Sequence, residues 1–437
     1  MKQSKINAFF PLILFVLLYF ASSLYFADFY KTPMLVILLL SVLVAFLQYR
    51  KVPFSEKITA FSYGAGDENI LLMVLIFLLA GAFGQLGKEM GAIQSAIDIT
   101  LHYISPRWVV SGLFLLACLL SLSLGTSVGT IAALAPLAVE LNKQIHLDIA
   151  LVLAAVVGGS MFGDNLSFVS DTTIAATRTQ GVGMKEKFKI NFRLVLPAAI
   201  ITFFAYYFIT PDAVTYTKTE IYWFEGIKVI PYLFVFGLAL VGLNVIWTLG
   251  IGIVATIIIG IIFKSIDYTS GITSIQTGIS SMFDLSMICI LIGGLIGILR
   301  FHGGIEYLLH HVSQKINSRK KAELTISFLT GLVNSALANN TLAILLVGPL
   351  AKEIVQKNDV DPARSASILD TTSCFVQGII PYGAQLLTAI TISNYTTSPI
   401  AVIVYLFYPF LTGISTILNI IFKKNKKFIK YPTNSIE

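Results

Sequence analysis

Shifted by 213 residues, the sequence falls on itself almost without gaps. Gly81, Gly84 and Gly91 meet Gly294, Gly297 and Gly304. Pro136, Leu137 and Ala138 meet Pro349, Leu350 and Ala351, while Glu140 meets Glu353 and Ser160 meets Ser373. One offset serving this many Gly and Pro positions marks an internal repeat, so the fold must be one that its two halves can share.

The repeated unit is apolar. Of 437 residues 56% are hydrophobic and 12% charged, with a mean hydropathy of +0.82, the composition of a polytopic helical membrane protein. Three spans open each half, near 9–27, 35–48 and 70–86, then near 228–242, 247–263 and 283–299. After a polar, amphipathic connector come two apolar arms around a small polar tip, S-L-G-T-S-V-G-T at 123–130 and A-L-A-N-N-T at 336–341. A span interrupted by polar residues follows (148–177, 363–391), and a last span (191–210, 401–421) closes each half. A crossing helix needs about 20 apolar residues; the arms within 108–140 fall short, so each pair reads as a re-entrant hairpin. Five spans per half is odd, which inverts the second half. With the N-terminus inside, all but Lys31, Lys88, Arg107, Lys143, Lys218, Lys228 and Lys264 of the 30 Lys and Arg fall on the cytoplasmic side, as the positive-inside rule requires.

The expected fold is therefore an all-α polytopic protein of the cell membrane. It has two inverted repeats of five transmembrane helices plus one re-entrant hairpin each, with broken helices at the midplane. The first repeat covers 1–210 (scaffold 8–87, core 107–210) and the second 214–425 (scaffold 228–300, core 322–421). A basic tail, 423–437, is expected to meet anionic lipid, and both termini are expected to be cytoplasmic.

The stretch 163–173, G-D-N-L-S-F-V-S-D-T-T, puts Asp164 and Asp171 in the middle of apolar sequence. An acid at bilayer depth is costly and points to function. Gly158, Gly159 and Gly163 and the Ser/Thr run are poor helix formers, and unwound backbone is tolerated there only when buried in protein or lining water. Inverted repeats with discontinuous helices describe secondary transporters, whose sites lie where half-helix ends and freed carbonyls meet ions. The tips offer Thr126, Ser127, Asn339, Asn340 and Thr341. The breaks offer Asp164, Asn165, Ser167, Ser170, Asp171, Thr172, Asp370, Thr371 and Gln377, oxygen ligands of the kind hard cations take. The acids depart from the repeat: Asp164 aligns with Gln377, Asp171 with Ala384 and Asp370 with Val157. Helix capping is the competing role for each. Asp171, with Ser170 and Thr172, is expected to carry the main charge of a sodium site. Two carboxylates in one low-dielectric site cannot both ionise cheaply, so one of Asp164 and Asp171 is expected to hold a proton that sodium displaces.

Other features carry less. Glu140 and Glu353 read as helix-end charges, and Cys118, Cys289 and Cys374 as small buried residues. Neither G-x-x-x-x-G-K-[ST] nor H-E-x-x-H occurs, which argues against an ATP motor or a zinc hydrolase. No enzymatic activity, cofactor or nucleic-acid partner is expected.

The motif at 163–173 resembles the G-D-x-x-S-P-x-S-D-T-T of the NhaC-type sodium/proton antiporter family, with Phe168 at the proline. Residues 125–130 match that family's G-T-S-x-G-T. Residues 369–373 and 380–385 resemble its E-D-[ST]-x-T and I-P-W-N-T, with Leu369 in place of the acid and Tyr382, Gly383 and Ala384 in place of W-N-T. The resemblance implies sodium-coupled transport by a core moving against a scaffold (an elevator), in a homodimer, with Na+ and H+ as coupling ions. It carries Asp164, Asp171 and Asp370 over as ion-site candidates. The family's other members imply a second reading, a Na+- or H+-coupled transporter of a small organic solute such as an amino acid or hydroxy acid.

Overall fold

A computed structural model describes residues 6–25, 34–167, 170–211, 223–241, 243–304, 307, 316 and 318–422. The basic tail, the lysines at 31 and 218, and Phe168 lie outside this set. Every regular element among the described residues is helical.

The first half lays down α1 (Phe10–Tyr25), α2 (Met34–Leu47), α3 (Phe54–Ala65), α4 (Glu68–Glu89) and α5 (Ala92–Tyr103). The arms α6 (Pro106–Leu124) and α7 (Ser127–Ile145) follow, then the interrupted pair α8 (Ile149–Leu166) and α9 (Asp171–Gln180), and the closing α10 (Met184–Ile209). The second half has α11 (Trp223–Leu240), α12 (Val245–Ile262), α13 (Tyr268–Ser281) and α14 (Phe283–Phe301). Its arms are α15 (Arg319–Leu337) and α16 (Asn340–Lys357), its interrupted pair α17 (Pro362–Ile379) and α18 (Ala384–Ile392), and it closes with α19 (Pro399–Val404) and α20 (Phe407–Phe422). Among the described residues, seven helical stretches are long and apolar enough to cross a bilayer, including the interrupted runs Ile149–Gln180 and Pro362–Ile392. The chain is a multi-pass helical membrane protein.

Local chemistry explains where these helices stop, and it recurs 213 residues on. Gly125 ends α6 with φ +71° and Ala338 ends α15 with φ +47°. Thr126 then caps α7 through Gly129 N–H, as Asn339 caps α16 through Leu342 N–H. Asp148 and Asp361 cap α8 and α17. The Ser121 hydroxyl donates to the Ser160 carbonyl, and the Asn334 amide donates to the Ser373 carbonyl at 2.7 Å, tying each first arm to its interrupted span. The arms α6, α7 and α15 have 19 residues and α16 has 18. They outrun the apolar stretches in the sequence because polar ends, such as Arg319–Lys321 and Glu140–Lys143, continue the helix.

Three helices lie outside the expected spans: α5, in the amphipathic connector, and α3 and α13. α3 and α13 are short and rich in Ser, Thr and Gly, so hydropathy does not mark them. Each packs on the third span of the other half, α3 on α14 and α13 on α4, through glycines at near-contact distance. A Cβ at Gly64 would lie 2.1 Å from the Gly293 carbonyl oxygen, and one at Gly81 would lie 2.3 Å from that of Gly278. Backbone on backbone cannot give way as a side chain can. Gly81→Ala should therefore cost about 1–3 kcal/mol, the usual range for overpacking, read as a lower melting temperature in detergent. The last span also differs from expectation: it divides at Tyr405, between α19 and α20.

Candidate functional site

Asp164 falls at the midpoint of the interrupted run Ile149–Gln180, as Gln377 does in Pro362–Ile392. It is 4% exposed. The N-terminus of α7 reaches it: Ser127 N–H donates to Asp164 Oδ1 at 3.1 Å and the Ser127 hydroxyl to Oδ2 at 2.6 Å. A helix N-terminus carries partial positive charge and free N–H groups, so it stabilises a carboxylate there. The second half completes the contact. Gln385 Nε2 donates to the Ser127 hydroxyl at 3.1 Å. Gln377 Nε2 donates to Gln385 Oε1 at 2.8 Å and to the Ala338 carbonyl at 2.9 Å. One hydrogen-bonded chain thus links the tip of one arm pair to the tip of the other through both interrupted spans.

A cavity of about 70 Å³ opens beside this chain. It gathers Thr126, Ser127, Asp164, Ser170, Asp171, Thr172, Asn339, Asn340, Thr341 and Gln377 from the expected set, together with Gln385. Asp171 is exposed, while Ser170 and Thr172 are buried. The Thr172 and Thr173 hydroxyls donate to the Asp164 carbonyl, at 2.9 and 3.4 Å, which the break has freed from the helix. The lining contains two carboxylates and no Lys or Arg. A second cavity, of about 140 Å³, lies further along α4, α7 and α18 and includes Gln85, Lys88, Glu140, Lys143 and Asn394. Between the two, α7 and α18 carry the buried Ala132 and Thr388.

Four expected residues lie outside the first cavity's lining. Asn165 donates from Nδ2 to the Met161 carbonyl and the Tyr408 hydroxyl. Ser167 is buried at the C-terminal end of α8, and the Thr371 hydroxyl donates to the Ser367 carbonyl. Asp370, fully buried, forms an ion pair with Lys187 at 2.6 Å. The sequence reading counts Lys187 among the cytoplasmic charges and passes over Asn191 and Gln385. Their signal lies in helical spacing: Lys187, Asn191, Leu194, Ala198, Thr202 and Tyr206 share the one buried face of α10.

Buried carboxylates, broken helices and a small polar cavity lined by both halves thus come together inside a multi-pass helical membrane protein. The sequence profile of the Na+/H+ antiporter family matches residues 4–210 and 213–423, and the chain belongs to that family. It is 23% identical to the Na(+)/H(+) antiporter NhaC of Alkalihalophilus pseudofirmus, over 88% of each chain. It is 21% identical to the malate-2H(+)/Na(+)-lactate antiporter of Bacillus subtilis, over 100% of this chain and 98% of that one. Among solved structures, the Alcanivorax borkumensis YdaH transporter aligns over 95% of this chain and 98% of its own, with 12% identity and a TM-score of 0.43.

Proposed function

We propose that this protein is a secondary active transporter exchanging sodium for protons, with Asp164 as the group the two ions share. The observation that carries the reading is Asp164 itself. It is a buried carboxylate at the midpoint of a broken span, held by a helix N-terminus and open to a small polar cavity. A bare charge at that depth is expensive, so the carboxylate carries a proton or a sodium ion through the cycle. Asp171, exposed at the cavity, meets the ion as it arrives, with Ser170 and Thr172 beside it. The sequence reading assigns the central charge to Asp171; burial moves it to Asp164.

The reading extends to mechanism. The two profile matches coincide with the two halves of the 213-residue repeat, which supports two repeated halves; the positive-inside charge split supports their inversion, with both termini cytoplasmic. Two cavities along the same three helices support alternating access by an elevator motion of arms and interrupted spans against the scaffold. The working form is a homodimer in the cell membrane, coupled by Na+ and H+ without a further cofactor. An organic anion such as malate or lactate fits poorly, because its carboxylate would face Asp164 and Asp171 with no cation in the lining.

The experiment is a proteoliposome assay. An inward sodium gradient should drive protons out of vesicles holding the protein, and malate, lactate or arginine should not be needed. Proton movement that depends on an added organic solute would replace this reading with the solute carrier. Within the same assay, Ser127→Ala removes a hydrogen bond to a charged group, worth about 1.5–3 kcal/mol. It should raise the half-saturating sodium concentration by about tenfold or more.

A further inference from the structure

The break between α8 and α9 frees carbonyls that a helix would otherwise use. One is the Asn165 carbonyl, and it receives the Lys187 ammonium at 2.9 Å. The same nitrogen lies 2.7 Å from the Thr173 hydroxyl and 2.6 Å from Asp370 Oδ2. Three oxygens from two interrupted spans thus surround one buried positive charge, and Lys187 is 1% exposed. Asn191 Nδ2 braces the cage from the side, donating to the Asn165 carbonyl at 2.8 Å and to Asp370 Oδ2 at 2.6 Å. Three more oxygens of the same side chains, Asn165 Oδ1, Asn191 Oδ1 and Asp370 Oδ1, are buried without a hydrogen-bond partner. A carboxylate, a freed carbonyl, a hydroxyl and spare amide oxygens are the ligands a hard cation takes. Half-helix C-terminal ends with unwound carbonyls are where transporters hold coupling ions.

We propose that Lys187 is a tethered cation filling a second cation site, built from Asn165, Thr173 and Asp370 across the two halves. The positions 213 residues away give the contrast: Ile400 answers Lys187, Val157 answers Asp370 and Val404 answers Asn191. The site exists once, and the chain carries its own occupant. Asp370 is then neutralised throughout the cycle and takes no part in ion exchange. Lys187 is a positioning residue: it closes the break, joins α10 to α17, and leaves the cavity at Asp164 and Asp171 as the place where a free ion acts. The inference deepens the transport reading by fixing how many free cations the chain binds.

The test replaces the tether and supplies the ion. Sodium bound per chain is measured by equilibrium binding of radioactive sodium to the purified full-length wild type, Lys187→Ala and Lys187→Ala/Asp370→Asn. Melting temperatures are taken in sodium and in choline. Lys187→Ala should bind one sodium more than the wild type, and its melting temperature in sodium should exceed that in choline by a wider margin than the wild type's, by mass action. The double variant should lose both gains, since the cage then has no charge to offset. The inference is overturned if Lys187→Ala binds no more sodium than the wild type, or stays unfolded in sodium, or if the double variant keeps the extra ion. A wild type that binds no sodium beside a Lys187→Ala chain that binds one would remove the antiport reading and leave this one standing.

Discussion

Asp164→Asn should reduce sodium-driven proton movement in proteoliposomes to the level of protein-free vesicles, while the purified chain remains folded. The substitution keeps the shape of the side chain, and an amide oxygen can still accept from Ser127 N–H or its hydroxyl. It removes the charge for which proton and sodium compete in the proposed cycle. Asp171→Asn should differ in kind. The exposed Asp171 lines the cavity, where the proposed cycle has the ion arrive, so its loss should raise the sodium concentration needed and leave exchange working when sodium is abundant. Exchange in Asp164→Asn at the wild-type rate would move the shared charge to Asp171.

The largest effect on stability should come from Arg364. Its guanidinium grips Glu323 through two bonds, Nε to Oε1 at 2.6 Å and Nη2 to Oε2 at 2.8 Å. It also reaches the Asn419 side chain, and the Asn419 carbonyl at 2.9 Å. Arginine suits this role because its planar fork matches a carboxylate in two bonds. The three residues lie on α15, α17 and α20, and both charges are buried. Arg319 Nε, 3.5 Å from Glu323 Oε1, is a weaker neighbour. Removing one partner strands the other, which costs about 3–5 kcal/mol, a large share of the roughly 5–15 kcal/mol that keeps a domain folded. Arg364→Ala should therefore yield little folded protein in detergent. Glu323→Leu with Arg364→Met should recover much of it, because a well-packed apolar pair replaces a buried ion pair at little cost. The repeat offers the precedent, with Val110, Leu151 and Tyr206 at the matching positions. Normal melting of Arg364→Ala would show that Arg319 alone satisfies Glu323.

Much of this molecule is legible in its sequence because membrane helices announce themselves. Their apolar runs must be long, and their backbone must satisfy itself. Glycines and prolines spaced alike in two halves expose the repeat, and an acid inside an apolar run exposes Asp164. The tips are legible for the same reason: Thr126 and Asn339 have cap chemistry, and both do cap a helix. What escapes has short or local signals. α3 and α13 bury small residues against another backbone and so lack hydropathy. Lys187 looks like one more basic residue in a cytoplasmic connector until its helix is seen to begin at Met184, which turns it inward with Asn191. Gln385 sits in a stretch that departs from the family pattern, yet it supplies the bond that ties Ser127 to the second half. Side chains that pair across 179 or 258 residues leave no trace in any local window.

Competition between two ions for one carboxylate is the core of the proposed cycle. Its most direct measurement is the release of protons when sodium is added to the purified protein in weakly buffered solution, followed with a pH indicator as sodium uptake is counted. In the wild type protons should leave in proportion to sodium bound, raising the pH should tighten sodium binding, and Asp164→Asn should release none. Sodium binding by the wild type with no proton released, at an affinity that does not change with pH, would contradict the proposed cycle.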